Sequence, residues 1–423
     1  MNDPVKFMGQ RRHGERRRDH PKKKALPMTN TVRDEDSLPT GAWELPEDMV
    51  MLRETVQRFM AEQVRPVEDR QPHDCFELPP AELEALQAKA KALGLWCLSS
   101  PEQYGGGGLS LLGQVIVAEE AAKCRMGAYV PACGAFGIDP PSVIWLGNEE
   151  QRQKYGVQGI SKGKKNFVAI SEASGGSDPG HKIQTRAVRD GDDYVINGSK
   201  LWITAAGNAD WGIVFARTGE AGKGEGITAF IVDKEAPGIE YREIGVIRSY
   251  SPYELTFNNV RVPAANRLGE EGQGFTICQK WLVHARVPYS AAVIGIAQEA
   301  LRLAIDWARE RNVHKSRLAD KQAIQWMIAD SEMELRAARL LTYQAAWNGD
   351  LGRDIKTDAS IAKVVSTETA GRVIDRVVQI FGAMGVAKEM PIERWYRELR
   401  IKRIGEGPSE IHRMVLAREL IRG

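Results

Sequence analysis

The sequence predicts an α+β protein in three parts: an N-terminal helical domain, a middle antiparallel β-barrel-like domain and a C-terminal helical bundle. Two changes of hydrophobic period carry this prediction. The first half of the chain repeats its apolar residues at helical spacing, a stretch of about 100 residues then breaks into short apolar runs, and the helical period returns to the end. Length agrees, because 423 residues are too many for one small module.

Residues 1–43 form a basic tail. Residues 1–24 hold nine Lys or Arg against three acids, with Arg16 to Arg18 and Lys22 to Lys24 in two runs. The stretch lacks the apolar segment of a secretory signal, and Asp3, Glu15 and Asp19 speak against a transit peptide. Clustered cations suit a polyanion-binding arm, whereas composition alone favours a disordered tail, or an upstream start with Met28 as the true beginning.

Residues 44–165 read as helical. Met51, Thr55, Phe59 and Val64 recur near helical spacing, and the Ala/Glu/Leu-rich run from Pro80 to Leu93 stops at Gly94. A second helical group runs from Leu109 through Lys123 and a third follows Pro140. In residues 166–275 the apolar runs Phe167–Ile170, Tyr194–Ile196, Gly212–Ala216, Ile227–Val232 and Glu254–Phe257 read as strands. Asp190-Gly191-Asp192-Asp193 and Asn197-Gly198 read as turns. In residues 276–423, Ala297, Leu301, Ala304 and Ala308 begin a series of long amphipathic helices.

Composition excludes several classes. Hydrophobic residues make up 43% and charged residues 27%, and 58 basic side chains face 56 acidic ones, so the whole chain carries no charge excess that would suggest nucleic acid. No run of about 18 apolar residues is free of charge, which argues against a membrane span. The five cysteines are widely spaced and form no CxxC pair, which disfavours a disulfide framework and a zinc site. No Rossmann fingerprint, Walker loop, HExxH or metal-ligand cluster occurs, so no metal is expected. Together these features point to a reducing compartment.

Chemistry concentrates in three stretches. In Ile170-Ser171-Glu172-Ala173-Ser174-Gly175-Gly176-Ser177-Asp178, small residues after a strand let a ligand approach the backbone; a surface turn is the plain alternative. In Asn197-Gly198-Ser199-Lys200-Leu201-Trp202-Ile203-Thr204, Trp202 and Thr204 share one strand face and would flank a planar ring with polar edges. A core Trp beside a surface Thr is the alternative. In Arg400 to Ile411, Glu406 stands between Gly405 and Gly407, just before a helix starting near Ser409. An accessible carboxylate in a dry pocket suits a base that removes a weakly acidic C–H, and a solvated turn acid is the alternative.

In this order the three stretches resemble the acyl-CoA dehydrogenase family of flavoproteins, over roughly residues 44–423. Further marks are Pro101-Glu102-Gln103-Tyr104-Gly105-Gly106, Asn258–Pro263 leading to Asn266, Gly269 to Phe275, Arg311 with Gln322, and Gln379 to Gly385. The resemblance implies FAD between the β-domain and a C-terminal four-helix bundle. It implies that Ile170, Ser171, Gly176 and Ser177 line the flavin, that Trp202 packs on the isoalloxazine, and that Thr204 hydrogen-bonds near N5. It also implies that Arg311, Gln322, Gln379 and Gly382 hold the adenine and pyrophosphate of a neighbouring subunit's FAD.

By the same resemblance Glu406 is the catalytic base, taking the α-proton of an acyl-CoA while the β-hydride passes to flavin N5, and Ser177, Arg286 and Gly407 face the substrate. Members that carry the base on the first bundle helix place it immediately before an Arg; here Ala285 precedes Arg286, which leaves Glu406 in the role. The implied setting is a homo-oligomer, dimer or tetramer, in fatty acid and lipid metabolism. It would be cytoplasmic, or in the mitochondrial matrix of a eukaryote, with an electron-transfer flavoprotein as partner. His314, Lys315-Ser316, Pro408 and Ala173-Ser174 depart from the common pattern. Alternatives within the fold are an acyl-CoA oxidase, a nitroalkane oxidase, a flavin monooxygenase and a DNA-binding flavoprotein. Glu406 counts against the nitroalkane oxidase and the monooxygenase. Arg397, Arg400, Lys402 and Arg403 would supply the basic surface of the last, which is disfavoured because no further C-terminal domain follows them.

Overall fold

The computed structural model describes residues 45–220 and 226–422, so the basic run at 1–24 lies outside the described residues. Helices α1 (Glu47–Phe59), α2 (Pro80–Ala92) and α3 (Leu111–Ala121) come first. Gly94, at φ 72°, ends the turn after α2 in the left-handed region that glycine tolerates. Ser110 caps α3 by accepting the Gly113 N–H at 3.2 Å. Val56, Phe59, Leu86, Ala90 and Val117 pack into one core beneath these helices.

The middle region is a sheet of eight strands: β1 (Asn166–Ala169), β2 (Arg186–Asp190), β3 (Asp193–Thr204), β4 (Trp211–Arg217), β5 (Ile227–Asp233), β6 (Ile239–Glu243), β7 (Pro252–Pro263) and β8 (Arg267–Leu268). The order is β6-β7-β3-β2-β4-β5-β8, with β1 also paired to β4. Here the antiparallel, barrel-like expectation is corrected. The β1–β4 and β2–β4 pairings are parallel, and the path ends on β6 and β8 without closing. The β2–β4 contact is one residue pair, Arg186 with Arg217.

Side chains on β4 and β5 alternate between two cores. Val214, Ala216, Phe230 and Val232 enter one, while Ile213, Phe215, Ala229 and Ile231 enter the other. Burial on both faces is why these strands read as continuous apolar runs. Asp190 to Asp193 is the turn between β2 and β3, but Asn197-Gly198 is not a turn. It lies inside β3 at a register shift against β7. A side chain at Gly198 would stand 2.6 Å from the Thr185 Cα, so glycine marks a bulge under close backbone approach.

The C-terminal part packs α4 (Gly274–Glu310), α5 (Gln322–Asp350) and α6 (Lys356–Phe381) around Ala297, Leu301, Ala304, Leu335, Val373 and Val377. The strands β9 (Asn312–Val313) and β10 (Ser316–Arg317) form a hairpin between α4 and α5. Helices α7 (Ile392–Lys402) and α8 (Ser409–Arg422) close the chain. Helix α4 lies close against α3, because a Cβ at Gly295 would sit 2.0 Å from the Glu119 carbonyl oxygen. Two buried ion pairs cross the same boundary, Arg339 to Glu119 at 2.7 Å and Arg65 to Glu299 at 3.2 Å.

Candidate active site

The turn between α7 and α8 carries Glu406, whose backbone is left-handed at φ 57°, followed by Gly407 at φ 94°. A non-glycine residue rarely holds that conformation unless its surroundings impose it. Three side chains from the helices do so. Arg286 of α4 donates from Nε to the Glu406 carbonyl at 2.9 Å, and His412 of α8 reaches the same oxygen at 3.1 Å. A carbonyl only accepts, so His412 carries its proton on Nε2. Lys363 of α6 donates to the carbonyls of Arg403 at 3.1 Å and Gly407 at 2.7 Å.

The Glu406 carboxyl is held differently. Its Oε2 is buried without a hydrogen-bond partner. Burial pushes this group above the ordinary carboxylate range, and the charges of Arg286, Lys402 and Lys363 pull it partway back. Burial also brings the Lys363 ammonium down to about 8 against the pull of Glu406. Burial, with the charges of Arg286 and Lys363, brings His412 down to about 4, so its imidazole is neutral at neutral pH. The result is a desolvated carboxyl on a rigid turn, able to exchange a proton with a C–H presented to it.

The first stretch is anchored to the second. Leu201 N–H donates to the Ser171 carbonyl at 2.9 Å. Glu172, buried, accepts from the N–H groups of Gln184 at 2.7 Å and Thr185 at 3.1 Å, and pairs with the fully buried Lys200 at 2.8 Å. Lys200 also donates to the Ile170 carbonyl at 3.0 Å. Gly176 and Ser177 stay exposed beyond this anchor.

Trp202 sits at a second register shift in β3, with φ 67°, and is 54% exposed. Thr204 is exposed on the same face and Ile203 between them is buried. The Thr204 hydroxyl accepts from Arg248 at 3.1 Å, which leaves its own proton to donate. Arg248 lies over the Tyr129 ring at 4.5 Å, and Lys402 over the same ring at 3.9 Å. This chain of contacts brings the second stretch to the Glu406 turn.

The remaining expected residues lie elsewhere. Arg311, Gln379 and Gly382 line one cavity of about 290 Å³ with Trp307 and Phe381. Gln322 is the first residue of α5 and is not part of that lining. The hairpin beside it turns on His314 and Lys315, both at positive φ, which is the geometry of a two-residue hairpin loop made without glycine. Of Arg397, Arg400, Lys402 and Arg403, expected on a basic surface, Arg400 is exposed. Arg397 pairs with Glu393, Arg403 pairs with Glu368, and Lys402 is buried.

Sequence reasoning missed Glu172 with Lys200, Lys363, His412, Tyr129, Arg248, Glu398 and Lys402 as parts of this neighbourhood. In the N-terminal core Glu68, Cys124 and Cys133 bring three ligand-type atoms within 4.8 Å of one another. The Glu68 carboxylate there already accepts from the Arg125 N–H at 2.8 Å and the Cys133 thiol at 3.5 Å.

Comparison with known proteins decides the family. Three domain models match in order: "Acyl-CoA dehydrogenase, N-terminal domain" over residues 46–162, "middle domain" over 168–260 and "C-terminal domain" over 272–421. The chain belongs to the acyl-CoA dehydrogenase family. The human mitochondrial short-chain specific acyl-CoA dehydrogenase is 36% identical over 385 residues, which span 90% of this chain and 91% of the relative. Butyryl-CoA dehydrogenase from Megasphaera elsdenii superposes with TM-score 0.78 at 31% identity, covering 90% of this chain and all of that one. The FAD complex of PigA superposes with TM-score 0.80 at 25% identity and the same coverage.

Acyl-CoA dehydrogenase family members bind FAD, and the residues present fit that cofactor. An exposed indole, a hydroxyl with a free proton and an open small-residue loop adjoin one another, as a planar ring with polar edges requires. No helix among the described residues is long and apolar enough to cross a membrane.

Proposed function

We propose that this chain is an FAD-dependent acyl-CoA dehydrogenase that converts a short acyl thioester to its trans-2-enoyl form, with Glu406 taking the α-proton. The observation that carries the reading is the Glu406 carboxyl, buried with Oε2 unpartnered on a turn that three bundle side chains hold. An α C–H beside a thioester is weakly acidic, and a base whose burial raises its proton affinity is matched to it.

Removal of that proton places charge on the thioester oxygen. The Glu406 N–H makes no hydrogen bond among the described residues and is the donor we assign to that oxygen. Ser171, Gly176, Ser177, Trp202 and Thr204 would hold the flavin, and the chemistry it supplies when bound is hydride acceptance from the β-carbon. Arg286 fixes the base through its backbone. Under this reading Ser177 and Gly407 border the substrate, and the cavity beside Arg311, Gln379 and Gly382 takes the adenine and pyrophosphate of FAD in a homo-oligomer. The electron-accepting partner is an electron-transfer flavoprotein.

The test is Glu406→Gln. The variant should retain flavin and bind acyl-CoA, yet lose anaerobic bleaching of the flavin by a thioester by about 10³-fold or more, within the range of general-base effects. Bleaching at the rate of the unaltered protein would overturn the assignment.

A further inference from the structure

A buried polar cluster stands beside the Glu406 turn and holds more charge than its own contacts use. Lys402 is 3% exposed, and its Nζ makes no hydrogen bond or ion pair among the described residues. It lies instead over the rings of Tyr129 at 3.9 Å and Tyr289 at 4.3 Å. Glu398, one turn earlier on α7, is 0% exposed, and neither carboxyl oxygen has a hydrogen-bond partner. Arg248 is 8% exposed; it gives Nη2 to Thr204, while its Nε is buried and unpartnered.

The cluster is continuous with the reacting site. Arg248 holds Thr204 on the β-domain side, and Lys402 leads through three residues into Glu406. Tyr289 donates its hydroxyl to the Lys402 carbonyl at 3.2 Å, and a Cβ at Gly405, next to the base, would lie 3.2 Å from that hydroxyl. A tail of plain hydrocarbon would leave these groups unsatisfied. Buried ions without partners are strongly unfavourable, and an apolar lining would serve an alkyl chain better. Lys402, Arg248, Arg286 and Lys363 stand around two carboxyls here, Glu398 and Glu406. Burial pushes Glu398 above the ordinary carboxylate range, so the positive excess grows as it takes up a proton.

We propose that the acyl group taken by this site ends in a carboxylate, as in the half-thioester of a short dicarboxylic acid, and that Lys402 and Arg248 are the specificity-determining residues that bind it. The unpartnered Lys402 ammonium and Arg248 Nε–H are donors that a carboxylate would satisfy, and its charge offsets the excess. A terminal hydroxyl would satisfy a donor but leave the charge standing. Tyr129 holds the two cations on one ring.

The proposal rests on the dehydrogenase reading of Glu406, and the experiment separates the two. Anaerobic flavin reduction of the holoenzyme is compared for glutaryl-CoA and valeryl-CoA, five-carbon thioesters that differ in carboxylate against methyl at the far end. Dissociation constants for both are measured by calorimetry on the Glu406→Gln holoenzyme. Glutaryl-CoA should bind and react at least about 10-fold better, the scale of one charged hydrogen bond. Lys402→Met also removes a charge that acts on Glu406, so both thioesters should react more slowly near neutral pH. The ratio of their KM values should fall to about one, and Lys402→Arg should keep the preference. Valeryl-CoA equal or better in the unaltered protein overturns the proposal and leaves the dehydrogenase reading standing. If neither thioester reduces the flavin, the dehydrogenase reading fails and takes the proposal with it.

Discussion

Glu406 must be ionised to act as a base, so thioester-driven flavin reduction should rise with pH. Burial raises its proton affinity, which places the midpoint above the ordinary carboxylate range. Lys363 is one of the cations that pull it back, so Lys363→Met should move the midpoint to still higher pH. A midpoint that stays in place or falls, in a pH profile of the reduction rate, would show that Lys363 does not act on the base. At this scale Glu406, Trp202 and Thr204 were legible because their neighbours are small or strand-like. Lys402 was not, because it sits in a run of charges that reads as a solvated face. The signal was nevertheless present: Ile392, Trp395, Leu399 and Lys402 recur at helical spacing and all four are buried. A cation on an apolar stripe is worth testing as a buried group.

Among the elements, β1, β3 and the loop between β1 and β2 depend on one buried pair. Glu172 accepts two backbone N–H groups and the Lys200 ammonium. Burial raises its carboxyl, but Lys200 and the N–H donors outweigh burial and hold it below the ordinary range. Glu172→Gln leaves Lys200 buried without its counter-charge. It should destabilise the protein by about 3–5 kcal/mol and reduce flavin retention, as read by denaturation midpoint and by flavin content after gel filtration. Unchanged flavin content would show that the loop is held by its backbone contacts alone. The strands themselves were legible from apolar runs and turn residues. Their closure was not, because the parallel pairing of β1 with β4 joins residues 166 and 211, and no local pattern encodes it. Gly198 was misread for a related reason, since a bulge and a turn use the same residue type.

For the whole molecule, the N-terminal helices and the bundle are tied by Glu119 with Arg339 and by Arg65 with Glu299, with which Arg302 of the same helix also pairs. Burial is the largest influence on Glu299 and raises its carboxyl, but Arg302, Arg65 and Lys123 together hold it below the ordinary range. Its stabilisation is therefore present above the unfolded carboxylate pKa and is lost as pH falls through the lower folded value. Glu299→Gln should lower stability by about 3–5 kcal/mol near neutral pH and flatten the acid side of the stability curve. Thermal melts across the acid range decide this, and a variant with the same slope as the unaltered protein would exclude the linkage. The three-part order was legible because each part has its own hydrophobic period, whereas these ties between parts join residues more than 200 positions apart.

Lys363 joins the carbonyls on either side of Glu406 to the middle of α6 with a single ammonium group. The backbone of the base's turn is thereby riveted to the packed interior of the bundle. Across from it Arg248 sits in the connection between β6 and β7, which Arg397 of α7 holds by donating to the Ile247 carbonyl. Tyr250 of that connection leans on Phe76 at 4.9 Å.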